Sequence, residues 1–158
     1  MTTPSLRRPV NDGYCFVCGP ANPVGLRLRF EPTPDGVRAV VSVPRELQGW
    51  QGIVHGGIVA TLLDEALAYA AVYAVGPAVT AELTVRLRAP CPVETPLVVT
   101  GRIHARRRRL LEGTAEVRTL AGDRLAVATG RLFLTPEAVL GPETGAGETT
   151  ETTDGAQG

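Results

Sequence analysis

The run Gly57-Ile58-Val59-Ala60-Thr61-Leu62-Leu63-Asp64-Glu65-Ala66-Leu67-Ala68-Tyr69-Ala70-Ala71-Val72-Tyr73-Ala74-Val75 decides the fold class. Of the 18 residues at 58–75, 15 are apolar, and Ala and Leu, both strong helix formers, dominate. A helix apolar on nearly every side must be enclosed by something. A bilayer is a poor candidate, because Asp64 and Glu65 stand in the middle of the run, where both would be expensive.

The sequence that follows supplies the cover. Val79, Ala81, Leu83, Val85 and Leu87 alternate with Thr80, Glu82, Thr84, Arg86 and Arg88, the pattern of a half-buried strand with the first set facing inward. Beyond Pro90, Pro92 and Pro96, three more strand-like runs are expected at about 97–106, 109–120 and 124–135, with turns such as Ala121-Gly122-Asp123 between them. On the N-terminal side, residues 24–31 alternate apolar and polar. Turn residues Pro32, Pro34, Asp35 and Gly36 then lead into 37–43, so a strand pair is expected. One apolar helix among antiparallel strands predicts an α+β domain whose sheet curls around the helix.

The length of 158 residues suits one domain, large enough to bury roughly 70% of its unfolded surface without disulfide or metal support. Residues 1–23, rich in Pro, Gly and Asn, form a loop-like lead-in; 24–136 form the domain; 137–158 form an acidic tail, expected to be disordered from 141 onward. All 16 basic residues are Arg. Four of the 16 acids lie in the tail, so residues 1–140 carry 16 bases against 12 acids, a charge of +4. That balance falls short of the cationic stripe nucleic-acid binding demands and suits a small anionic ligand. With no apolar run behind Arg7 and Arg8 and an odd count of 3 Cys, reduced thiols in a cytoplasmic protein are expected.

Chemistry concentrates where the irregular segment 44–56 meets the helix. A helix starting near Gly56 presents amides without intrahelical acceptors and a positive dipole end, which can receive a carbonyl oxygen as it becomes anionic. Glycines there admit close approach to the backbone. Asp64 lies two turns on, roughly 10 Å from Gly57 along the axis, so a carboxylate from a facing chain closes the gap more directly. Asp64 and Glu65, about 100° apart around the helix, cannot act as a close dyad.

His55-Gly56-Gly57 followed by Asp64, the stretch Cys15-Phe16-Val17-Cys18-Gly19 with Asn22-Pro23-Val24-Gly25-Leu26, and the strand at 79–90 together resemble the hot-dog-fold acyl-CoA thioesterases of the phenylacetate-pathway (PaaI) type. The resemblance covers about 14–135. It implies a hot-dog fold, a homodimer often paired into a tetramer, and active sites at the dimer interface. It further implies that the Gly57 amide polarises the thioester carbonyl and that the helix acid of the neighbouring subunit, by position Asp64, acts as nucleophile or general base. Glu65 is the competing acid, and Thr80 stands where related enzymes place a hydroxyl that orients water. Its other reading is an outward strand hydroxyl. His55 is read first as a structural residue that holds the loop and second, with Gly56, as adjoining the carbonyl, and Asn22 and Gln48 fall in regions that line the acyl pocket. The substrate implied is a small, medium-chain or aromatic acyl-CoA, with no cofactor or metal beyond the CoA it brings.

Two signals need separate weighing. Cys15-x-x-Cys18 is half a zinc site, but only Cys91, His55 and His104 remain as further thiol or imidazole ligands, without paired spacing. No metal is therefore expected, and the segment is assigned to loop packing. Arg106, Arg107 and Arg108, with Arg109, crowd a turn between strands and either contact the phosphates of CoA or face solvent. No aromatic platform lies near them for nucleic acid. Rival functions on the same scaffold are a non-catalytic acyl-CoA-binding protein and, more remotely, an enoyl-CoA hydratase.

Overall fold

The computed structural model of the chain describes residues 10–135 and 139–140. The helix expected from the apolar run is α1, Gly56–Ala74. The strands are β1 (Val10–Asn11), β2 (Glu31–Thr33), β3 (Gly36–Ser42), β4 (Ala78–Leu87), β5 (Pro96–Arg107), β6 (Leu110–Thr119), β7 (Arg124–Leu134) and β8 (Val139–Leu140). Six of them form one antiparallel sheet in the order β2-β3-β5-β6-β7-β4, and β1 pairs with β8 in parallel.

Helix α1 packs against β3, β4, β5, β6 and β7, which is the hot-dog arrangement of one helix held by a curved sheet. Leu62, Leu63, Ala66 and Leu67 are fully buried against Leu97, Val99, Leu111, Val117, Ala126 and Leu132. Three strand glycines seat the helix. A Cβ at Gly101 would collide with the backbone of Ala66, and one at Gly113 or Gly130 with the side chain of Leu67. By length and composition α1 could cross a membrane, but its packing on five strands marks it as the core helix of this fold.

Three expectations are corrected. Residues 24–30 are not a ladder strand: Arg27 has φ of 52°, a left-handed conformation that interrupts an extended run. Their alternation survives, with Leu28 and Phe30 buried and Arg27 and Arg29 exposed, because the segment lies on the lead-in. There Leu26 N–H donates to Phe16 O (3.0 Å) and Leu28 N–H to Val17 O (2.8 Å). Second, Val139–Leu140, placed in the tail, forms β8; the segment 141–158 lies outside the described residues.

The third correction concerns β4, whose pairing with β7 shifts register between Thr80 and Glu82. Ala81 is the extra residue of a bulge. Past the bulge, Leu83, Val85 and Leu87 oppose Gly130, Ala128 and Ala126 on the inward face, as the alternation predicts. Before it the phase inverts: Thr80 opposes buried Leu132, while Val79 opposes exposed Phe133. Thr80 therefore faces the helix and Val79 faces out.

Candidate active site

The loop before α1 is pinned by main-chain bonds. His55 N–H donates to Leu47 O (3.0 Å), Val54 N–H to Cys91 O (2.8 Å) and Gly49 N–H to Ile53 O (2.8 Å). Gly52, at φ of 77°, makes a turn that a side chain would strain. His55 is the N-cap of α1, and its Nδ1 accepts a hydrogen bond from Gly57 N–H at 3.0 Å. An accepting Nδ1 puts the ring proton on Nε2. The amide that the family resemblance makes the carbonyl's donor is thus already capped by a neighbouring imidazole. Any oxygen brought to that amide would compete with the ring for one N–H.

Two turns along the helix, Thr80 Oγ1 donates to Asp64 Oδ1 at 2.7 Å. This short bond to a carboxylate joins α1 to the edge strand β4 and depends on the Ala81 bulge that turns Thr80 inward. Glu65 points elsewhere. Its Oε1 receives the Cys15 thiol at 3.7 Å, and its carboxyl is pushed up by burial and by the nearby charge of Asp64, while hydrogen bonds from Cys18 and Cys15 pull it down. Cys18 is itself pushed up to about 12, chiefly by burial and then by Glu65. Adjacent acids thus sit in separate environments, Asp64 with a hydroxyl and Glu65 with two thiols.

A cavity of about 690 Å³ opens at the N-terminus of α1, lined by Trp50, His55, Gly56, Val59, Leu87, Arg88 and neighbouring residues. Its size suits a small-molecule ligand. Trp50, 84% exposed, stands at the wall as a free aromatic surface. Among the described residues Arg88 is the one cation of that wall; in the sequence it reads only as the polar half of an alternating strand.

The other expected residues lie apart from this cavity. Asn22 is buried, its Nδ2 donating to Tyr14 O (3.1 Å) and its Oδ1 accepting from Val24 N–H (3.0 Å), so its amide is spent on the lead-in. Gln48 Oε1 accepts from Gly52 N–H (3.0 Å) and supports the loop before the helix. Arg106 and Arg107 are exposed at the end of β5 and Arg108 on the turn after it, with Arg106 Nε donating to Arg108 O (3.0 Å). Within one chain they lie at the far end of the sheet: Leu87, beside Gly56, is linked by register through Ala126 to Val117, whereas the turn immediately precedes Leu110, the first residue of β6. From Val117 to Leu110 is about 23 Å of extended chain.

With this geometry in view, the comparisons with known proteins are specific. The family model described as Thioesterase superfamily matches residues 51–126, which span the loop, α1 and most of the sheet. That match covers 76 of the chain's 158 residues. A curated relative, acyl-coenzyme A thioesterase THEM4 of Xenopus laevis, is 28% identical over 88 residues, 56% of this chain and 40% of that protein. The chain thus matches less than half the length of that relative. A solved thioesterase superfamily protein superposes with a TM-score of 0.73 at 29% identity, covering 84% of this chain and 69% of the other. The PaaI protein of the phenylacetic acid degradation operon of E. coli shares the fold, with a TM-score of 0.63 at 19% identity over 68% of this chain and 83% of that one.

Proposed function

We propose that the chain hydrolyses the thioester of an acyl-CoA, releasing the free acid and CoA, with Asp64 as general base. The observation that carries this reading is the 2.7 Å bond from Thr80 to Asp64, set on the helix whose N-terminus borders an apolar cavity. Thr80 spends its one proton on Asp64, leaving the hydroxyl's lone pairs to accept from a water that Asp64 deprotonates. The water oxygen bonds to the thioester carbon, the carbonyl oxygen takes up charge against Gly57 N–H, and C–S cleavage expels CoA thiolate, which takes a proton. His55 releases the amide as the carbonyl arrives.

Asp64 is too far from Gly57 along its own helix for one carbonyl carbon to meet both, about 10 Å. The site is accordingly shared between two copies of the chain. In support, β4 is an edge strand with Val79 and Leu87 exposed, and α1 leaves Val72 uncovered. Antiparallel joining of two β4 edges sets the far end of one sheet beside the near end of the other, which lets a partner's 106–109 turn serve the CoA phosphates alongside Arg88. The open cavity suits a medium-chain or aromatic acyl group.

The test is thiol release from short, medium, long and aromatic acyl-CoAs by wild type, Asp64→Asn and Glu65→Gln at matched oligomeric state. Asp64→Asn should lower kcat by about 10²–10⁴-fold, the usual range for a positioned proton acceptor. A larger loss in Glu65→Gln than in Asp64→Asn overturns the assignment, and acyl-CoA binding without turnover by wild type favours the non-catalytic rival. A single turnover in H₂¹⁸O with a hydroxylamine trap tests the chemistry: label in the product acid alone and no trapped acyl-enzyme fit the base, whereas label in Asp64 or a trapped acyl group reveals an anhydride.

A further inference from the structure

We propose that Cys15, Cys18 and Glu65 form a binding site for one zinc-class transition-metal ion, with the fourth coordination position filled by water. The two thiols come from the turn of the lead-in and the carboxylate from the third turn of α1, and the three ligand atoms lie within 4.8 Å of one another. Ligand atoms on a tetrahedral zinc, sulfur at ~2.3 Å and oxygen at ~2.0 Å, stand about 3.5 Å apart. Cys15 Sγ and Glu65 Oε1 are 3.7 Å apart, so the edge of the tetrahedron is already at the required length.

The turn itself is shaped for a metal. Gly19 N–H donates to Cys15 O (2.9 Å), closing the Cys-x-x-Cys loop, and Gly19 packs so closely on the Cys15 backbone that a Cβ there would overlap it. Val17 N–H points at Cys15 Sγ (3.4 Å), the kind of second bond that holds a thiolate ligand in place. Among the described residues no cation pairs with Glu65, so the carboxylate, half-buried beside two thiols, lacks the counter-charge a divalent ion supplies. A cavity of about 420 Å³, bordered by Cys18, Arg27, Phe30 and Tyr69, opens onto the cluster and gives water access to the remaining position. Cys and His alone do not complete a zinc site in this sequence; the fold contributes a carboxylate that no spacing rule would pair with residues about fifty positions away.

The ion would tie the irregular lead-in to the helix turn that carries Asp64, adjacent to Glu65. The experiment uses the full chain, reduced and stripped with chelator, titrated with Co²⁺ and then Zn²⁺. The expected result is a thiolate-to-cobalt charge-transfer band with tetrahedral d–d absorption, saturating at one equivalent, erased by zinc and accompanied by a higher Tm. Cys15→Ser and Cys18→Ser should weaken binding by more than about 100-fold, beyond the loss of an outer-sphere partner, and Glu65→Gln should also weaken it. The wild-type spectrum stands even if a variant fails to fold. Absence of the thiolate band in folded, reduced wild type overturns the proposal, as does a band that persists in folded Cys18→Ser. A Cys15–Cys18 disulfide whose reduced form binds neither ion overturns it too.

Discussion

Thr80 meets Asp64 because Ala81 is bulged out of the β4–β7 ladder, and the site's chemistry turns on that one residue's displacement. Strict alternation would leave Thr80 on the outer face, where Val79 now stands. Removing the hydroxyl while keeping the shape, Thr80→Val, should lower kcat by roughly tenfold or more, the worth of a hydrogen bond to a charged group, with KM little changed. Thr80→Ser should restore most of it. Steady-state kinetics on the preferred acyl-CoA provides the check, and an equal fall in Thr80→Ser would point to packing instead. The His55-Gly56-Gly57 spacing to Asp64 was legible in sequence because it lies within one helix, where periodicity fixes relative positions. Thr80's direction was not, since alternation is blind to an inserted residue. Nor were Glu65's thiol partners, which only the tertiary fold brings to it.

At the level of elements, α1 lies on the sheet by way of backbone at Gly101 and side chain at Gly113 and Gly130. Leu67, wholly buried between Gly113 and Gly130, should cost about 2–5 kcal/mol when cut to Ala, the range for a truncated core leucine. Gly101→Ala should cost at least about 1–3 kcal/mol, the overpacking range, because the backbone of Ala66 cannot step aside. Gly130→Ala should cost less, since the tip of Leu67 can rotate away, and adding Leu67→Ala should make the Gly130 change nearly neutral. Urea unfolding of the four variants measures all of this; equal costs at Gly101 and Gly130 would contradict the seat as described. The helix and the four long strands were legible from apolar periodicity, strong over ten residues or more. The segment 24–30 misled because its alternation is real but is satisfied by the lead-in, with Arg27 breaking the extended backbone.

For the molecule as a whole, the sheet ends in an open edge at β4, beside the partly uncovered side of α1. If two copies share each site, activity per chain should fall on dilution in step with dissociation of a species of at least twice 16.6 kDa, seen by sedimentation. Mixing Gly57→Pro, which lacks the N–H, with Asp64→Asn should regain about a quarter of wild-type activity from two inactive parents, as random pairing leaves one intact site in each mixed dimer. No recovery, with mixed dimers demonstrably formed, would place the whole site in one chain. The glycine seat has one further effect. Because backbone and a single leucine fix how deep the helix lies, the spacing of Asp64 from Thr80 is insulated from changes in the cavity-wall residues Trp50, Ile53, Leu87 and Ala89. On the proposed function the protein is therefore modular in heredity as well as in shape: mutation would retailor the acyl group accepted without retuning how it is cleaved.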